Sequence, residues 1–249
     1  MDIALAKRVF SCIDHTTLNG TDSLSSVESF CRYTLEMRLE EGTTVAAVCV
    51  YPRFVSCAKR VLAGSGIKVA SVAGAFPHGQ LPIELKVSEV EYAVKEGADE
   101  VDVVINRGLL LEGDNEGVRK EVEAMKKACG ERILKVILET GELSSPTLIA
   151  QASMLAIEGG ADFIKTSTGK IGIGATPEAA EVMLQCIADH FKKTNRLVRF
   201  KAAGGISTLE EAFLFAEKAK KIFGDNFIRN QTFRIGTSRL TEKIFHILT

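Results

Sequence analysis

The chain has 249 residues, of which 46% are hydrophobic and 25% are charged, and its formal net charge at pH 7 is −1. This composition is typical of a globular protein with one large core, and the even mixture of acidic and basic residues predicts no binding surface for nucleic acid or an anionic membrane. No apolar run approaches the length of a membrane span, and the N-terminal stretch lacks the continuous apolar region of a signal peptide.

The six cysteines are scattered along the chain and include no Cys-x-x-Cys pair. This spacing favours reduced thiols over disulfides or a zinc site. We therefore expect a cytoplasmic protein.

Eight short strands are predicted in chain order, each rich in apolar and β-branched residues. They cover residues 12–15, 46–51, 67–72, 100–105, 133–139, 162–166, 197–201 and 232–235. Helical patterns fall between the later strands, at residues 82–96, 117–128, 145–158, 177–192 and 208–223. Pro177 suits the first turn of its helix and Ser207 is a candidate cap for the last of these.

This alternation predicts a single-domain (β/α)8 TIM barrel that spans residues 1–249. A doubly wound open sheet is the alternative architecture. The Gly-x-Gly-x-x-Gly turn that usually follows the first strand of such a sheet is missing here, which favours the barrel.

Several predicted strands carry charged residues among apolar ones. Asp102 interrupts an apolar strand, Lys135 and Glu139 share one face of the next, and Arg199 and Lys201 share one face of the seventh. In a barrel one strand face points to the axis, so these side chains are expected to converge near the C-terminal mouth, where barrel enzymes work. A buried ion-pair cluster with a purely structural role is the alternative.

The segment 163–170, Phe-Ile-Lys-Thr-Ser-Thr-Gly-Lys, leads from an apolar strand into a hydroxyl-rich turn. An exposed lysine has a pKa of about 10.4, but a lysine held in a closed site beside other cations can become a nucleophile that attacks a carbonyl. Lys165 is therefore a candidate nucleophile. The alternative, which this segment taken alone favours, is a surface lysine at the end of a strand.

Two glycine-containing turns follow the seventh and eighth strands and lead into helices, a recurrent position for phosphate in barrels. They contain Gly204, Gly205, Gly236 and Ser238. Lys170 and Arg239 stand close by in sequence and could neutralise a bound anion. A small phosphorylated molecule is the predicted ligand.

Six segments resemble the deoxyribose-phosphate aldolase family: CVYPRF at 49–54, FPHG at 76–79, GADEVDVV at 97–104, LKVILETG at 134–141, DFIKTSTGK at 162–170 and FKAAGG at 200–205. The resemblance extends from residues 14–18 to residues 236–238. It implies a class I aldolase with a (β/α)8 barrel and no metal or other cofactor. It further implies reversible cleavage of 2-deoxy-D-ribose 5-phosphate to D-glyceraldehyde 3-phosphate and acetaldehyde, by a homodimer or higher homo-oligomer.

The resemblance also implies roles for individual residues. Lys165 matches the lysine that forms the Schiff base, Asp102 the acid that transfers protons, and Lys201 the second lysine that perturbs the nucleophile. A neighbouring ammonium at Lys201 is expected to lower the pKa of Lys165. Lys135 matches a charged interior position, to which we assign a supporting electrostatic role.

Five further residues are candidate substrate contacts. The hydroxyl groups of Thr16, Thr166 and Thr168 are placed to orient substrate or water, or they belong to ordinary strand-end threonines. Phe76 and Cys49 are expected in the wall of the pocket.

The chain departs from the family pattern where phosphate is expected to bind. Ser207 stands where an arginine often follows the glycines, Ala202 where proline is frequent, and Arg239 where the family has a serine. We therefore expect Arg239 or Lys170 to supply the cationic contact that Ser207 cannot. Two other functions remain open, namely a Schiff-base aldolase that uses a ketone donor and a catalytically silent barrel that binds a sugar phosphate.

Overall fold

The structure, a computed structural model, describes residues 2–249 as a closed barrel of eight parallel strands. Each strand pairs with the next along the chain, and β8 pairs with β1 to close the barrel. The strands are β1 (Ile13–Thr16), β2 (Ala47–Val50), β3 (Lys68–Ala73), β4 (Glu100–Val104), β5 (Ile133–Ile137), β6 (Phe163–Lys165), β7 (Arg199–Ala203) and β8 (Phe233–Thr237). The predicted (β/α)8 barrel is confirmed, and the open sheet is excluded.

Ten α-helices accompany these strands within the described residues. They are α1 (Ile3–Ser11), α2 (Leu24–Glu36), α3 (Val55–Val61), α4 (Ile83–Lys95), α5 (Arg107–Glu112), α6 (Asn115–Cys129), α7 (Pro146–Glu158), α8 (Pro177–Thr194), α9 (Leu209–Phe223) and α10 (Leu240–Leu248). None of the helices in residues 2–249 is both long and apolar enough to cross a bilayer.

Two local expectations need correction. The cap of α9 is Thr208 instead of Ser207, because the Thr208 hydroxyl and the Glu211 carboxylate bond reciprocally to backbone N–H groups in a capping box. Strand β5 ends at Ile137, so Glu139 does not continue the face of Lys135. Glu139 instead has a left-handed backbone, with φ of 57°, which turns its side chain towards the loop after β6.

The main hydrophobic core lies between the barrel and its surrounding helices. On β4, Val101 and Val103 are fully buried in this core, as the alternation of side chains predicts, while Asp102 points into the barrel. The same alternation applies around the barrel. The inward-facing side chains of the strands therefore form a barrel interior that is separate from the main core.

That interior has two sides of opposite character. The apolar side consists of Ala47 and Cys49 on β2 and Ala70 and Val72 on β3, which form a small cluster of their own. The charged side consists of buried acidic and basic side chains on β1, β4, β5, β6, β7 and β8. The two sides face each other across the barrel axis, since β2 and β3 lie opposite β6 and β7 in the strand order.

Candidate active site

Three lysines converge on one aspartate inside the barrel. Asp102 Oδ2 accepts hydrogen bonds from Lys165 Nζ at 2.7 Å and from Lys201 Nζ at 2.8 Å, and its Oδ1 accepts one from Lys135 Nζ at 2.7 Å. Asp102 lies beside Lys135 in the register of β4 and β5, and Lys165 lies beside Lys201 in that of β6 and β7. The predicted convergence is therefore confirmed for Asp102, Lys135 and Lys201, which Lys165 joins, but it is wrong for Glu139 and Arg199.

Three further buried charges, which the sequence analysis did not select, join this group. Asp14 Oδ2 lies 2.5 Å from Lys201 Nζ, and its Oδ1 lies 2.5 Å from Arg234 Nη1. Glu100 bonds to Arg234 Nη2 at 2.7 Å and to Lys135 Nζ at 2.6 Å. We call Asp14, Glu100 and Arg234 the inner ion-pair group.

The signal for this group was present in the sequence. Asp14 interrupts β1 and Arg234 interrupts β8 in the same way that Asp102 interrupts β4. Arg199, by contrast, was expected in the interior cluster but stays half-buried. Its guanidinium lies 5.4 Å from the centre of the Phe163 ring, and it forms no ion pair within the described chain.

The Lys165 amine differs from its neighbours in its protonation. Burial lowers the pKa of Lys165, the Asp102 carboxylate opposes that effect, and the Lys201 ammonium adds to the lowering. The net result is a pKa below the ordinary value of lysine. The predicted direction is thus confirmed, but burial is a larger cause than the neighbouring ammonium.

The other two lysines shift the opposite way. Burial alone would lower the pKa of Lys201, but the carboxylates of Asp102 and Asp14 outweigh it and raise the pKa. Burial would also lower the pKa of Lys135, but the carboxylates of Asp102, Glu100 and Asp14 outweigh burial and raise this pKa. Both lysines therefore stay protonated.

The Asp102 carboxylate is held in its ionised form. Burial would raise the pKa of Asp102, but the ammonium groups around it prevail and hold the pKa well below its usual range. Burial would also raise the pKa of Asp14, but the positive charges of Lys201, Arg234 and Lys135 outweigh burial and lower this pKa. The interior thus consists of fixed charges around one lysine of lowered pKa.

A cavity of about 330 Å³ opens at the C-terminal mouth of the barrel, formed by the loops that follow β1, β6, β7 and β8. The predicted site residues in its wall are Thr16, Lys165, Thr168, Lys170, Gly204, Gly205, Gly236, Ser238 and Arg239. The wall also includes Leu18, Asn19, Ile171 and Gly174, which were not predicted. Among the three interior lysines, Lys165 is the one that reaches this wall.

At three positions in the cavity wall, either the backbone conformation or the available space favours glycine. Gly204 and Gly205 have φ of 91° and 82°, which side chains rarely adopt. A Cβ atom on Gly236 would lie 3.0 Å from Lys201 Cε, so this glycine also leaves room for Lys201. The backbone N–H groups of Gly205 and Ser238 donate no hydrogen bond within residues 2–249.

Two cations border these turns. The Arg239 side chain is exposed at the rim and has no ion-pair or hydrogen-bond partner within the described part of the chain. Lys170 crosses the mouth of the cavity, and its ammonium donates to the backbone carbonyl of Leu18 in the loop after β1. Both cations therefore lie in the wall of the same cavity as the two glycine turns.

The three predicted threonines have different surroundings. The Thr166 hydroxyl bonds to both the N–H and the carbonyl of Ala203, at 3.0 Å each, and it ties the ends of β6 and β7 together. Thr16 donates to the Asp14 carbonyl at 2.9 Å. Thr168 donates both its backbone N–H and its hydroxyl to the Glu139 carboxylate.

Thr166 and the three remaining predicted contacts lie outside the cavity wall. Lys135 is fully buried within the interior charges. Cys49 belongs to the apolar side, where burial raises the pKa of its thiol to about 11. Phe76 packs edge-on against Tyr51, with 6.3 Å between ring centres.

Among residues 2–249, no group of three or more His, Cys, Asp or Glu side chains is arranged to hold a metal ion. All six cysteines are free thiols, as their spacing predicts.

The family model described as DeoC/LacD family aldolase matches residues 8–230 of the chain. Deoxyribose-phosphate aldolase from Bos taurus is 43% identical and aligns with 97% of this chain and 81% of its own length. Deoxyribose-phosphate aldolase from Homo sapiens is also 43% identical, over 95% of this chain and 80% of its own.

Among solved structures, the tetrameric deoxyribose phosphate aldolase from Aeropyrum pernix superposes with a TM-score of 0.73 at 26% identity, and the match covers 97% of this chain and 91% of that one. The curated relatives and the superposed structure both support the family that the family model gives. The chain therefore belongs to the DeoC/LacD aldolase family and is an aldolase, that is, a lyase.

Proposed function

We propose that this aldolase reversibly cleaves 2-deoxy-D-ribose 5-phosphate to D-glyceraldehyde 3-phosphate and acetaldehyde through a Schiff base on Lys165. One observation carries this proposal. Of the three lysines around Asp102, Lys165 alone combines a lowered pKa with a place in the cavity wall. An amine must be both uncharged and accessible to attack a carbonyl.

The balance of charges supports an uncharged Lys165. The interior contains three carboxylates and three other cations: Asp14, Glu100, Asp102, Lys135, Lys201 and Arg234. These six charges cancel. A proton on Lys165 would add one uncompensated positive charge in a buried site, which is costly.

The chemistry follows from the imine. Lys165 attacks the C1 aldehyde of the ring-opened sugar, and loss of water gives an iminium. The C3 hydroxyl then gives up its proton as the C2–C3 bond breaks, and the bonding electron pair moves into the iminium to form an enamine. Protonation of the enamine at C2 and hydrolysis release acetaldehyde and restore the lysine.

The neighbours of Lys165 are placed to move these protons. Asp102 Oδ2 lies 2.7 Å from Lys165 Nζ, within reach of a proton transferred directly or through one water. Lys201 lies on the same Oδ2 at 2.8 Å, holds that carboxylate ionised and disfavours a proton on Lys165. Lys135 holds the second oxygen of Asp102 and so fixes its orientation.

The phosphate of the substrate is proposed to bind at the opposite end of the cavity, against Gly204, Gly205, Gly236 and Ser238. The free N–H groups of Gly205 and Ser238 suit an anion, because glycine lets the backbone approach closely. Arg239 and Lys170 supply the positive charge. Arg239→Ala should raise KM for the phosphorylated sugar about tenfold, while Arg53→Ala, which removes another exposed arginine, should not change it.

Borohydride trapping tests the central step. Reduction in the presence of acetaldehyde should leave an ethyl group on Lys165, which peptide mass mapping identifies. An adduct on another residue would sink the mechanism. A ketone donor such as dihydroxyacetone phosphate serves as the control, since efficient turnover with it would point to a different aldolase, and binding without turnover would point to a silent barrel.

We also propose that the chain acts in the cytoplasm, in the breakdown of deoxyribose phosphate, as a homodimer or larger homo-oligomer. The tetrameric Aeropyrum pernix relative supports association. Light scattering after size-exclusion chromatography tests it, and a monomeric mass at micromolar concentration would contradict it.

A further inference from the structure

Glu139 is a buried carboxylate that the proposed mechanism does not use. Its side chain is fully buried, and no basic side chain of residues 2–249 lies within ion-pair distance of it. Its backbone has the left-handed conformation, which is uncommon for a residue other than glycine. A buried polar side chain without a cationic partner and a rare backbone conformation both cost free energy, and such costs are concentrated at functional sites.

The carboxylate is directed at Thr168 alone. Glu139 Oε1 accepts the Thr168 backbone N–H at 3.1 Å, and Oε2 accepts the Thr168 hydroxyl proton in a short hydrogen bond. Thr168 lies in the cavity wall, three residues after Lys165. Glu139 therefore acts on the cavity through this one side chain.

The contacts of the Thr168 hydroxyl determine what it can offer to a ligand. A hydroxyl has one proton and two lone pairs. The proton goes to Glu139, and one lone pair accepts the Lys170 backbone N–H at 3.0 Å. What remains for the cavity is one lone pair. Thr168 can therefore accept a hydrogen bond from a ligand, but it cannot donate one.

We propose that Glu139 is a specificity-determining positioning residue, which fixes the Thr168 hydroxyl as an acceptor and thereby selects substrates whose hydroxyl donates a hydrogen bond over those whose group at that place can only accept one. The inference rests on the proposed function, because it names a feature of the substrate for that same site. D-Glyceraldehyde 3-phosphate has such a hydroxyl at C2. A phosphorylated aldehyde without it would leave the Thr168 lone pair unpaired, which a site of this kind penalises.

The direct test compares two aldehydes in the synthetic direction, with acetaldehyde as donor. D-Glyceraldehyde 3-phosphate and 3-phosphooxypropanal differ by that one hydroxyl. The unmodified enzyme should prefer the first by about tenfold in kcat/KM, the value of one hydrogen bond. Thr168→Val should lose this preference, and Thr168→Ser should keep it because serine retains the hydroxyl.

Glu139→Gln tests the role of the carboxylate itself. The glutamine oxygen can still accept the Thr168 N–H, but its NH₂ group then faces the hydroxyl and donates to it. The Thr168 proton must then turn towards the cavity, where an acceptor-only group can take it. In Glu139→Gln the 2-fluoro analogue of D-glyceraldehyde 3-phosphate should therefore gain several-fold in kcat/KM relative to 3-phosphooxypropanal, compared with the unmodified enzyme. The double variant Glu139→Gln/Thr168→Val should lose this gain, because it has no hydroxyl at position 168.

Glu142→Gln is the matched control. It removes a carboxylate from the same short turn, where Glu142 pairs with Arg107 and does not contact Thr168. This variant should keep the substrate preference of the unmodified enzyme. A Glu139→Gln enzyme in which the 2-fluoro analogue shows no gain would overturn the inference.

A second measurement needs no Glu139 variant. The 2-fluoro analogue of the acceptor carries an atom that can accept but not donate a hydrogen bond. Its kcat/KM relative to 3-phosphooxypropanal is divided by the same ratio measured in Thr168→Val, which corrects for the intrinsic reactivity of the fluorinated aldehyde. After this correction the unmodified enzyme should use the 2-fluoro analogue no better than 3-phosphooxypropanal. Recovery to the level of D-glyceraldehyde 3-phosphate would show that Thr168 donates, and the inference would fail.

The two proposals fail separately. Absence of an acetaldehyde adduct on Lys165 contradicts the proposed function. An adduct on Lys165 together with no gain of the 2-fluoro analogue in Glu139→Gln contradicts only the role of Glu139.

Discussion

The two sides of the barrel interior carry side chains of opposite character, charged on one side and apolar on the other. The charged side holds seven ionisable groups from β1 and β4 to β8, joined by short ion pairs. The apolar side offers the small side chains of Ala47, Cys49, Ala70 and Val72. One side supplies the charges and the other contributes to the water-poor surroundings in which those charges act strongly.

This difference explains why one lysine among three is available for chemistry. Lys135 and Lys201 each lie against at least two carboxylates and stay charged. Lys165 has Asp102 alone and is as buried as they are, so the cost of its charge is less well offset. A nucleophilic lysine therefore results from an unequal distribution of carboxylates inside a common buried interior.

The largest expected effect comes from removing the amine. Lys165→Met should lower kcat by about 10⁴-fold or more, because no other group can form the imine. A coupled assay for D-glyceraldehyde 3-phosphate measures the loss, and circular dichroism checks the fold. Lys127→Met, at an exposed position on α6, is the control and should retain full activity. Substantial turnover by Lys165→Met would mean that the charged side holds its nucleophile elsewhere.

A smaller loss is expected when the charge beside the nucleophile is removed. Lys201→Met should reduce kcat by about 10²- to 10⁴-fold, the range for a lost proton-transfer partner. Since the Lys201 ammonium lowers the pKa of Lys165, its removal should move the midpoint of borohydride trapping to higher pH. Lys218→Met, which breaks a surface pair with Glu181, is the matched control. A Lys201→Met midpoint that moves down would contradict this electrostatic role.

Arg234 tests whether the inner ion-pair group serves stability as well as chemistry. Arg234→Met leaves Asp14 and Glu100 short of a cation in a buried site, so the free energy of unfolding should fall by about 3–5 kcal/mol. Denaturant unfolding measures this change. Arg119→Met, which removes ion pairs on the surface of α6, should lower the free energy of unfolding far less, because solvent screens exposed pairs. Equal costs for the two variants would show that the buried group adds no special stability.

The smallest effect is expected on the apolar side. Cys49→Ala keeps that side apolar, so it should cost about 1 kcal/mol of unfolding free energy and leave turnover nearly unchanged. Cys49→Asp should instead raise the pKa of Lys165, because it places a carboxylate on the side that lacks one. Loss of turnover in a folded Cys49→Ala enzyme would show that the thiol takes part in the reaction.

Periodicity in the sequence was sufficient to predict the barrel and half of its interior. The strict alternation around Asp102 and the strand-end position of Lys165 place both side chains in the barrel, and the structure joins them by a hydrogen bond. The same reasoning applied to Asp14 and Arg234 would have found the inner ion-pair group. Helix α2 was missed because only three of its positions are buried, namely Val27, Cys31 and Thr34, and one of these is polar.

Other features depend on contacts that no local pattern reports. Lys201 was the expected cause of the lowered pKa of Lys165, but burial is the larger cause, and burial depends on how all eight strands close around the amine. Glu139 was expected beside Lys135 because a strand pattern continues until something stops it. The strand ends at Ile137 instead, and the left-handed backbone of Glu139 directs its side chain to Thr168, 29 positions further along the chain.

The pH dependence of borohydride trapping tests most directly whether Lys165 is an uncharged amine among fixed charges. The rate of ethyl labelling at Lys165 with acetaldehyde should rise with pH and reach half its maximum well below about 10.4, the ordinary pKa of lysine. Lys135 and Lys201 should remain unlabelled across the same range. A midpoint at the ordinary value, or labelling of either neighbour before Lys165, would contradict the division of the interior into fixed charges and one nucleophile.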